Sequence, residues 1–359
     1  MKVGIVSTPL YANYGGILQN YALQQVLKKM GHEPITLDYM PSLPFWKYCL
    51  YAGKTALCSV IPSKRHPLKP YHHFLQRPEE IKRFVDENIA HTATVASYSS
   101  RQLSKYGIEA LVVGSDQVWR YKYNHFHIDD MYLAFAKDNR CRKIAYAASF
   151  GVEKWDYPAE VTSRVRTLIK SFDAISVRES SGIDICRDSL GADAQLVLDP
   201  TLLLSEEDYA PLCKPFEKGG EPYVASYILD TDDRKQKMVE DFAAENGLAV
   251  RNMTVSENGC AIEDWLSTIR NAEFVITDSF HGSIFSIIFK KQFFTYINRD
   301  RGADRFYTLF KTLGLYNRLL DDNTIAFPKD AKIEYGSVYE KLEFFRDNSI
   351  NYLTCSIAK

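Results

Sequence analysis

A polar turn with the sequence DSFHG, residues 278–282, carries residue types that are well suited to chemistry. A histidine imidazole can hold an anion or move a proton, and His281 supplies one in this turn. The apolar run that follows predicts a helix, and a helix N-terminus presents unpaired backbone N–H groups that attract anions. We therefore predict that the turn binds an anionic substrate and transfers a proton. The alternative is that Asp278 or Ser279 only caps the helix, with His281 as a packing residue.

Two elements must position this turn. Residues 274–277 form a short apolar run with β-branched side chains, which is typical of a buried strand. Residues 283–289 are apolar again, with large side chains at helical spacing. A strand, a turn and a helix make half of a βαβ unit, and ligands of open α/β sheets bind at the carboxyl ends of the strands. The turn is thus expected at the ligand-binding edge of a parallel sheet.

Length and composition limit the classes of protein that fit. The chain has 359 residues, which suits two domains, and its 46% hydrophobic and 25% charged residues are those of an ordinary globular protein. A formal net charge of −1 argues against a nucleic-acid partner. The seven cysteines form no CxxC pair, so no metal site is predicted. The start, MKVGIVSTPL, predicts a strand rather than a signal peptide.

The N-terminal region opens with a strand–turn–helix–strand pattern. Strands are predicted over 3–6 and 35–38, with a helix over 17–30 between them. This is the start of a Rossmann-like domain, although the GxGxxG dinucleotide fingerprint is absent. The pair Gly15 and Gly16 would let a ligand approach the backbone closely, or would simply make a tight βα turn.

The same alternation continues and predicts two lobes. Further strands are predicted over 110–113, 143–149, 174–177, 196–198, 223–228, 249–252 and 293–297. Helices are predicted over 81–89, 161–169, 235–245, 262–271, 306–313 and 335–347. A polar linker at 217–221 separates a Rossmann-like lobe over 1–215 from a second one over 222–334. The C-terminal segment 335–359 is predicted to pack back on the first lobe.

A basic, aromatic stretch interrupts the first lobe. Residues 39–78 contain no Asp or Glu, but they carry lysines and arginines among aromatic side chains. Such a stretch suits contact with an anionic membrane surface. It would equally suit a basic lid over the active site, or a solvated excursion of the chain. The sequence leaves these three interpretations open.

Six segments, taken in order, carry a resemblance to a known family. They are NYGGILQNYAL from residue 13, GSDQVW from 114, SVRE from 176, LDPTLL from 198, TDSFHGSIFS from 277 and RGADRF from 301. Together they resemble the polysaccharide pyruvyl transferase family over nearly the whole chain. The resemblance implies an α/β fold of two Rossmann-like lobes that face a central cleft, as in the GT-B glycosyltransferases.

The resemblance also implies a reaction. Pyruvyl is transferred from phosphoenolpyruvate to a sugar of a surface polysaccharide or its lipid-linked precursor, with release of phosphate and formation of a cyclic ketal. Phosphoenolpyruvate is then a substrate and no cofactor is implied. The expected location is the cytoplasm, with peripheral membrane contact through residues 39–78.

The resemblance assigns a donor site. It implies that His281 is the central acid and a phosphoenolpyruvate contact, and that Arg178 grips the phosphate or carboxylate. The alternative for Arg178 is a surface salt bridge with Glu179. Some members carry an arginine two positions before the histidine, where this chain has Ser279. Arg299, Arg301 or Arg305 would then replace it. The proposed donor residues are Arg178, Ser279, His281, Gly282, Ser283, Arg301 and Arg305.

The acceptor site is expected at the carboxyl ends of the first-lobe strands. Asp116 is proposed to contact or deprotonate an acceptor hydroxyl, or alternatively to cap the next turn. Trp119 is proposed to stack on a sugar face, or alternatively to lie in the core. The proposed acceptor residues are Asn13, Tyr14, Gly15, Gly16, Gln19, Asp116, Gln117 and Trp119.

Two other functions fit two facing lobes. The first is a glycosyltransferase that uses a nucleotide sugar, for which Asp278 is the one candidate ribose contact in the second lobe. The second is a non-catalytic, glycan-binding component of an assembly complex, which would bind sugar but not phosphoenolpyruvate.

Overall fold

The computed structural model describes residues 1–42, 45, 49–50, 52–53, 76–215, 220–253, 261–321, 324, 327–328 and 332–358. Most of the basic stretch 39–78 and of the linker 217–221 lies outside these residues, and so do Lys47, Lys54, Lys64 and Arg65. The membrane and lid interpretations of that stretch therefore stay predictions. Within the described ranges, no helix is long and apolar enough to cross a membrane.

The first lobe is built on a parallel sheet with the strand order β2-β1-β3-β4-β5-β6 among the described residues. Strand β3 is buried along its whole length, because helices cover both faces of the sheet. The strands are β1 (Lys2–Val6), β2 (Glu33–Thr36), β3 (Ala110–Gly114), β4 (Arg142–Ala148), β5 (Ala174–Val177) and β6 (Gln195–Leu196). The helices are α1 (Tyr14–Lys29), α2 (Glu79–Asn88), α3 (Ser100–Tyr106), α4 (Tyr121–Asn124), α5 (Ile128–Met131), α6 (Ala159–Ile169), α7 (Ser180–Asp184) and α8 (Glu206–Tyr209).

The second lobe repeats this plan. Its described strands form a parallel sheet in the order β11-β10-β9-β7-β8. They are β7 (Tyr223–Tyr227), β8 (Ala249–Asn252), β9 (Phe274–Thr277), β10 (Gln292–Tyr296) and β11 (Leu319–Leu320). The helices are α9 (Asp233–Glu245), α10 (Ile262–Asn271), α11 (Phe280–Ile288) and α12 (Asp304–Leu313), and the chain closes with α13 (Tyr335–Ala358).

Each predicted strand is present, with bounds shifted by a residue or two. The helices differ more. Helix α11 begins at Phe280 rather than 283, because Ser279 is its N-cap and accepts a hydrogen bond from the Gly282 N–H at 3.3 Å. The polar turn is thus the first turn of the helix. Helix α13 runs past residue 347 to Ala358, since no Gly or Pro stops it and Leu353 continues its buried face.

Helix α13 returns to the first lobe. The hydroxyl of Tyr352 donates to the carbonyl of Ala145 on β4 at 2.9 Å. The Ser349 hydroxyl accepts from the backbone N–H of Leu198 at 3.0 Å. A further apolar contact ties the lobes together, where the rings of Tyr209 and Phe285 meet edge to face at 4.9 Å. These contacts fix the position of one lobe against the other.

Both sheets have a switch point that faces the other lobe. In each, the first strand lies between the second and the third, so β1 is flanked by β2 and β3, and β7 by β8 and β9. Chain connections leave in opposite directions there and open a crevice at the carboxyl ends of the strands. The loops that follow β1, β3, β7 and β9 border these crevices. The predicted fold class, α/β with two Rossmann-like lobes around a cleft, is confirmed.

Candidate active site

A cavity of about 490 Å³ lies between the two switch points. Its size falls within the range of ligand-binding pockets. Every one of the four switch-point loops contributes to its wall. The lining residues are Thr8, Pro9, Tyr11, Ala12, Asn13, Pro41, Asp116, Gln117, Tyr123, Asn124, Leu229, Asp278, Ser279, Phe280, His281, Arg301 and Arg305.

His281 lies in the first turn of α11, and 7% of its surface is exposed. Its Nε2 lies 3.6 Å from Oδ2 of Asp199 in the first lobe. On the other side of the ring, a Cβ atom placed on Gly15 would overlap Nδ1 and the neighbouring ring atoms. The close approach of α1 to the imidazole therefore requires glycine at this position. The N-termini of α1 and α11 meet at His281, and both carry a positive dipole end.

Asp199 is the carboxylate behind His281. Its Oδ2 accepts from Gln19 Nε2 at 2.5 Å and from Arg178 Nη1 at 2.9 Å, and its Oδ1 accepts from the Thr201 hydroxyl at 2.6 Å. Burial alone would raise its pKa, but the nearby His281, the charge of Arg178 and the Thr201 hydroxyl hold the pKa of Asp199 well below its ordinary value. The ionised form of Asp199 is therefore favoured beside the imidazole, which lies 3.6 Å away.

Asp116 faces the cavity from the loop after β3. Its Oδ2 accepts from Asn13 Nδ2 at 2.8 Å and from the Thr8 hydroxyl at 3.1 Å. Its Oδ1 accepts from the backbone N–H of Gln117 at 2.8 Å. The side chain therefore caps its own turn and lines the cleft at once, so the two alternatives raised from the sequence are compatible.

The two arginines that line the cavity differ in their partners. Arg301 forms two hydrogen bonds with Asp230, at 2.9 and 3.0 Å, and 45% of its side chain is exposed. Arg305 is only partly exposed, and its buried Nε has no hydrogen-bond partner among the described residues. Burial of the charge and the nearby Arg178 lower the pKa of Arg305 to about 9. Arg305 therefore holds positive charge that an anion would stabilise.

Arg178 lies behind the cavity rather than in its wall. It is buried, and with Asp199 and Phe280 it lines a separate cavity of about 20 Å³. Its Nε is 3.9 Å from Glu179 Oε2, farther than the 2.9 Å contact with Asp199. The alternative of a surface salt bridge with Glu179 is correct as to the partner and wrong as to the surface, since the pair is buried and Asp199 is the nearer partner. Asp199 lies between Arg178 and His281 and contacts both.

Trp119 is a core residue, and its predicted role as a sugar-stacking side chain is wrong. Its ring is fully buried and stacks on Tyr132 with centroids 5.0 Å apart. Its Nε1 donates to the carbonyl of Met131 at 3.0 Å. The apolar residues that follow the turn after β3 pack with the indole in the core, so the ring lies away from the cleft.

Six other predicted site residues do not line the cavity, namely Tyr14, Gly15, Gly16, Gln19, Gly282 and Ser283. Gln19 is buried and donates a hydrogen bond to Asp199. Tyr14 packs edge-on against Trp265 in the core. Ser283 donates to the Ser279 carbonyl inside α11, and the Gly282 N–H is used by the cap of that helix. No role was predicted for Asp199 from the sequence, and its one signal was its place after β6 in LDPTLL.

Contacts between the lobes hold the cleft in shape. Gln117 Nε2 donates to the carbonyl of Arg301 at 2.8 Å, and Arg120 Nη2 donates to that of Asp300 at 2.9 Å. Gly302 has φ +99°, and a Cβ there would lie 2.9 Å from the carbonyl oxygen of Gly151. The loop after β10 therefore packs against the loops after β3 and β4. These contacts hold Arg301 and the start of α12 at the cavity.

Solved structures match nearly the whole chain at low sequence identity. UDP-GlcNAc 2-epimerase from Methanocaldococcus jannaschii matches with 11% identity over 97% of this chain and 93% of its own, at a TM-score of 0.50. A Listeria monocytogenes protein described as a UDP-N-acetylglucosamine 2-epimerase matches with 10% identity over 98% and 89%, at a TM-score of 0.51. A glycosyltransferase from Rickettsia africae matches with 12% identity over 98% and 93%, at a TM-score of 0.46. The comparison with curated proteins gave no match.

Two parallel-sheet lobes around a shared cavity, with a histidine–aspartate pair and arginines at its wall, define a two-lobed, GT-B-like protein. Residues 13–301 match the polysaccharide pyruvyl transferase family, and the chain belongs to that family. Membership supports pyruvyl transfer to a polysaccharide as the class of function. The described residues contain no cluster of His, Cys, Asp or Glu side chains placed to hold a metal ion.

Proposed function

We propose that this protein transfers pyruvyl from phosphoenolpyruvate to two hydroxyls of a sugar in a surface polysaccharide or its lipid-linked precursor. The observation that carries the proposal is the arrangement of one cavity wall. There His281, with Asp199 behind it, lines the same cleft as Asp116 and Arg305, and the Nε of Arg305 has no hydrogen-bond partner among the described residues. An acid, a cation and a base are the groups that this transfer requires.

The reaction has a simple atom balance. Two sugar oxygens each form a bond to C2 of phosphoenolpyruvate, and the bond from C2 to the phosphate oxygen breaks. One hydroxyl proton ends on C3, which becomes a methyl group, and the other ends on the released phosphate. The enzyme must therefore accept protons from hydroxyls, deliver one to carbon, and hold a carboxylate and a phosphate.

His281 is the proposed acid. The ionised Asp199 would hold the imidazole in place and stabilise its protonated form, as a carboxylate does behind a catalytic histidine. The proton goes to C3 or to the departing phosphate. Asp116, fixed by Asn13 and Thr8, is the proposed acceptor of a hydroxyl proton.

Some family members carry an arginine at the position of Ser279, and Arg305 is the proposed replacement for it in this chain. It lines the cavity and has unused donor capacity, whereas Arg301 is held by Asp230 and Arg299 does not line the cavity. The N-terminus of α11 adds backbone donors and a positive dipole end for the same anion. Arg178 would contribute by fixing Asp199 and by adding positive charge behind Phe280.

Replacing Arg305 with alanine should weaken phosphoenolpyruvate binding by about 1.5–3 kcal/mol, because a charge-assisted contact is lost. Arg301→Ala is the matched control, since it removes an arginine from the same wall that already has a carboxylate partner. Isothermal titration with phosphoenolpyruvate measures both. Equal losses in the two variants, or unchanged affinity in Arg305→Ala, would contradict the assignment of Arg305.

Replacing Asp116 with asparagine should lower kcat by about 10–10²-fold while phosphoenolpyruvate affinity stays close to wild type. The amide oxygen can still accept from Asn13 and Thr8, whereas the NH2 group that replaces the other oxygen cannot accept from the Gln117 N–H, and the side chain no longer takes up a proton. Steady-state kinetics with both substrates varied separates the two effects. A raised Michaelis constant for phosphoenolpyruvate with unchanged kcat would remove Asp116 from proton transfer.

The binding preference tests the proposal against a nucleotide-sugar enzyme. Asp278, the candidate ribose contact, is buried and accepts from the backbone N–H groups of Leu229 at 2.6 Å and Asp230 at 3.0 Å. Its carboxylate is thus already used, which favours the pyruvyl donor. Thermal-shift titrations should show stabilisation by phosphoenolpyruvate. Stabilisation by UDP-GlcNAc alone would overturn the proposal.

A further inference from the structure

Tyr123 lies at the mouth of the cavity with half of its surface exposed. It belongs to the short helix α4 in the first lobe, and 50% of its surface is accessible to solvent. Its side chain lines the cavity together with Leu229 of the second lobe. A tyrosine ring combines a large apolar face with a polar hydroxyl, which suits it to contact a ligand at a cleft.

The ring is firmly supported from behind. The guanidinium of Arg120 lies over it, 4.4 Å from the ring centre. Arg120 itself is held by Gln117 Oε1 at 2.9 Å and by the Asp300 carbonyl at 2.9 Å. The next residue, Asn124, is buried and donates to the carbonyls of Gln117 and Val118 at 2.8 and 2.9 Å.

This support has a consequence for binding. A rigid aromatic ring with few torsions to immobilise binds a partner at a low entropic cost. One face of the Tyr123 ring is covered by Arg120, and the residue also borders the cleft. The ring of Tyr123 therefore offers a flat, fixed surface to a ligand at the cavity mouth.

We propose that Tyr123 is the platform on which a pyranose ring of the acceptor stacks, so that it determines acceptor specificity. This inference rests on the proposed function. A pyranose has an apolar C–H face and a polar rim, and the mouth offers the same combination. It has the Tyr123 ring and Leu229 for the apolar face, with Asn13 and the Arg301–Asp230 pair for the hydroxyls.

The other candidates for the mouth fit less well. Phosphoenolpyruvate has no ring face to stack, and its two anionic groups match the inner wall with Arg305 and the α11 N-terminus. A lipid tail needs a continuous apolar wall, and here charged side chains interrupt it. A sugar ring is the occupant whose surface matches both parts of the wall.

Binding of monosaccharides without the donor tests the proposal directly. The probes are methyl β-D-galactopyranoside and methyl β-D-glucopyranoside, and saturation-transfer NMR measures their binding to the protein. Tyr123→Ala should weaken binding about tenfold, equivalent to about 1.4 kcal/mol. Tyr123→Phe should keep most of the affinity, because it keeps the ring. In turnover assays, Tyr123→Ala should raise the acceptor KM by a similar factor, with kcat and the phosphoenolpyruvate KM little changed.

Phe126→Ala is the matched control. Phe126 is the more exposed aromatic residue, at 91%, on the same segment, but it does not line the cavity. The proposal is overturned if Phe126→Ala loses as much affinity as Tyr123→Ala, if Tyr123→Phe behaves like Tyr123→Ala, or if neither glycoside binds the wild-type protein at millimolar concentration. Liposome association that both alanine variants lose would also overturn it, in favour of a lipid surface. Glycoside binding through Tyr123 without any turnover of phosphoenolpyruvate would refute the proposed reaction and leave the platform intact.

Discussion

Replacing His281 with alanine should lower turnover by about 10²-fold or more, because the proposed proton donor is lost. The fold should survive the change. The cap of α11 is made by the Ser279 side chain and the Gly282 N–H, neither of which is altered. Asp199 also keeps its bonds from Gln19 and Arg178, so its carboxylate is not left unpaired.

His91→Ala is a suitable control for this variant. His91 is a half-buried histidine that contacts Asp86 on the surface of the first lobe and does not line the cavity. Its loss should leave turnover unchanged. Circular dichroism and thermal unfolding of both variants would establish that they are folded. A folded His281→Ala variant with turnover close to wild type would remove His281 from the mechanism.

Replacing Gly15 with alanine should reduce turnover by about 10²-fold without removing any chemical group, since small displacements of catalytic groups have effects of this size. The new methyl group would overlap the imidazole of His281 and force the ring out of its present position beside Asp199. Alanine favours a helix over glycine by roughly 0.5–1 kcal/mol, which would offset part of the strain in α1. We therefore expect a large loss of activity with a modest change in the free energy of unfolding.

Gly336→Ala provides the matched control. Gly336 is the second residue of α13, as Gly15 is of α1, and a Cβ placed on it meets no atom within 4 Å. It should leave both turnover and stability near wild type. Steady-state kinetics and thermal unfolding check the pair. If Gly15→Ala retains full turnover, the close packing of α1 on His281 has no part in positioning the catalytic group.

The sequence predicted the fold well because parallel sheets leave a clear pattern. The strands are short apolar runs, and β3 and β9 are read directly as such because both of their faces are covered. The polar turn at the start of α11 was predicted as the central site from its residue types, and its role in chemistry stays a prediction. A histidine among serines and glycine at a strand end left open whether the turn carries chemistry or only caps and packs the helix.

The pairings within the site were beyond the sequence because they join distant segments. Asp199 contacts Gln19 from the start of the chain and His281 from the second lobe. The choice between Arg301 and Arg305 depended on Asp230, which only the folded chain brings to Arg301. The position of a residue within a motif likewise does not show whether its side chain is buried in the core or lines the cleft.

The aromatic residues illustrate the same difficulty. Trp119 and Tyr123 are four positions apart, and both residue types stack on sugars. The structure buries Trp119 under the sheet, where it packs on Tyr132, and leaves Tyr123 at the cleft. Local sequence carried no signal for this difference. The position of Tyr123 depends on its neighbours, since Arg120 donates to the carbonyl of Asp300 and Asn124 donates to that of Gln117.

The most direct test of the proposed function is a coupled measurement of phosphate and product. The purified protein is incubated with phosphoenolpyruvate and a panel of soluble and lipid-linked glycans, with His281→Ala as the inactive control. The proposal predicts that phosphate is released only when a suitable glycan is present, in equal amount to a pyruvate ketal whose methyl group is seen by NMR. Phosphate release without a glycan, or turnover of a nucleotide sugar with no use of phosphoenolpyruvate, would contradict it.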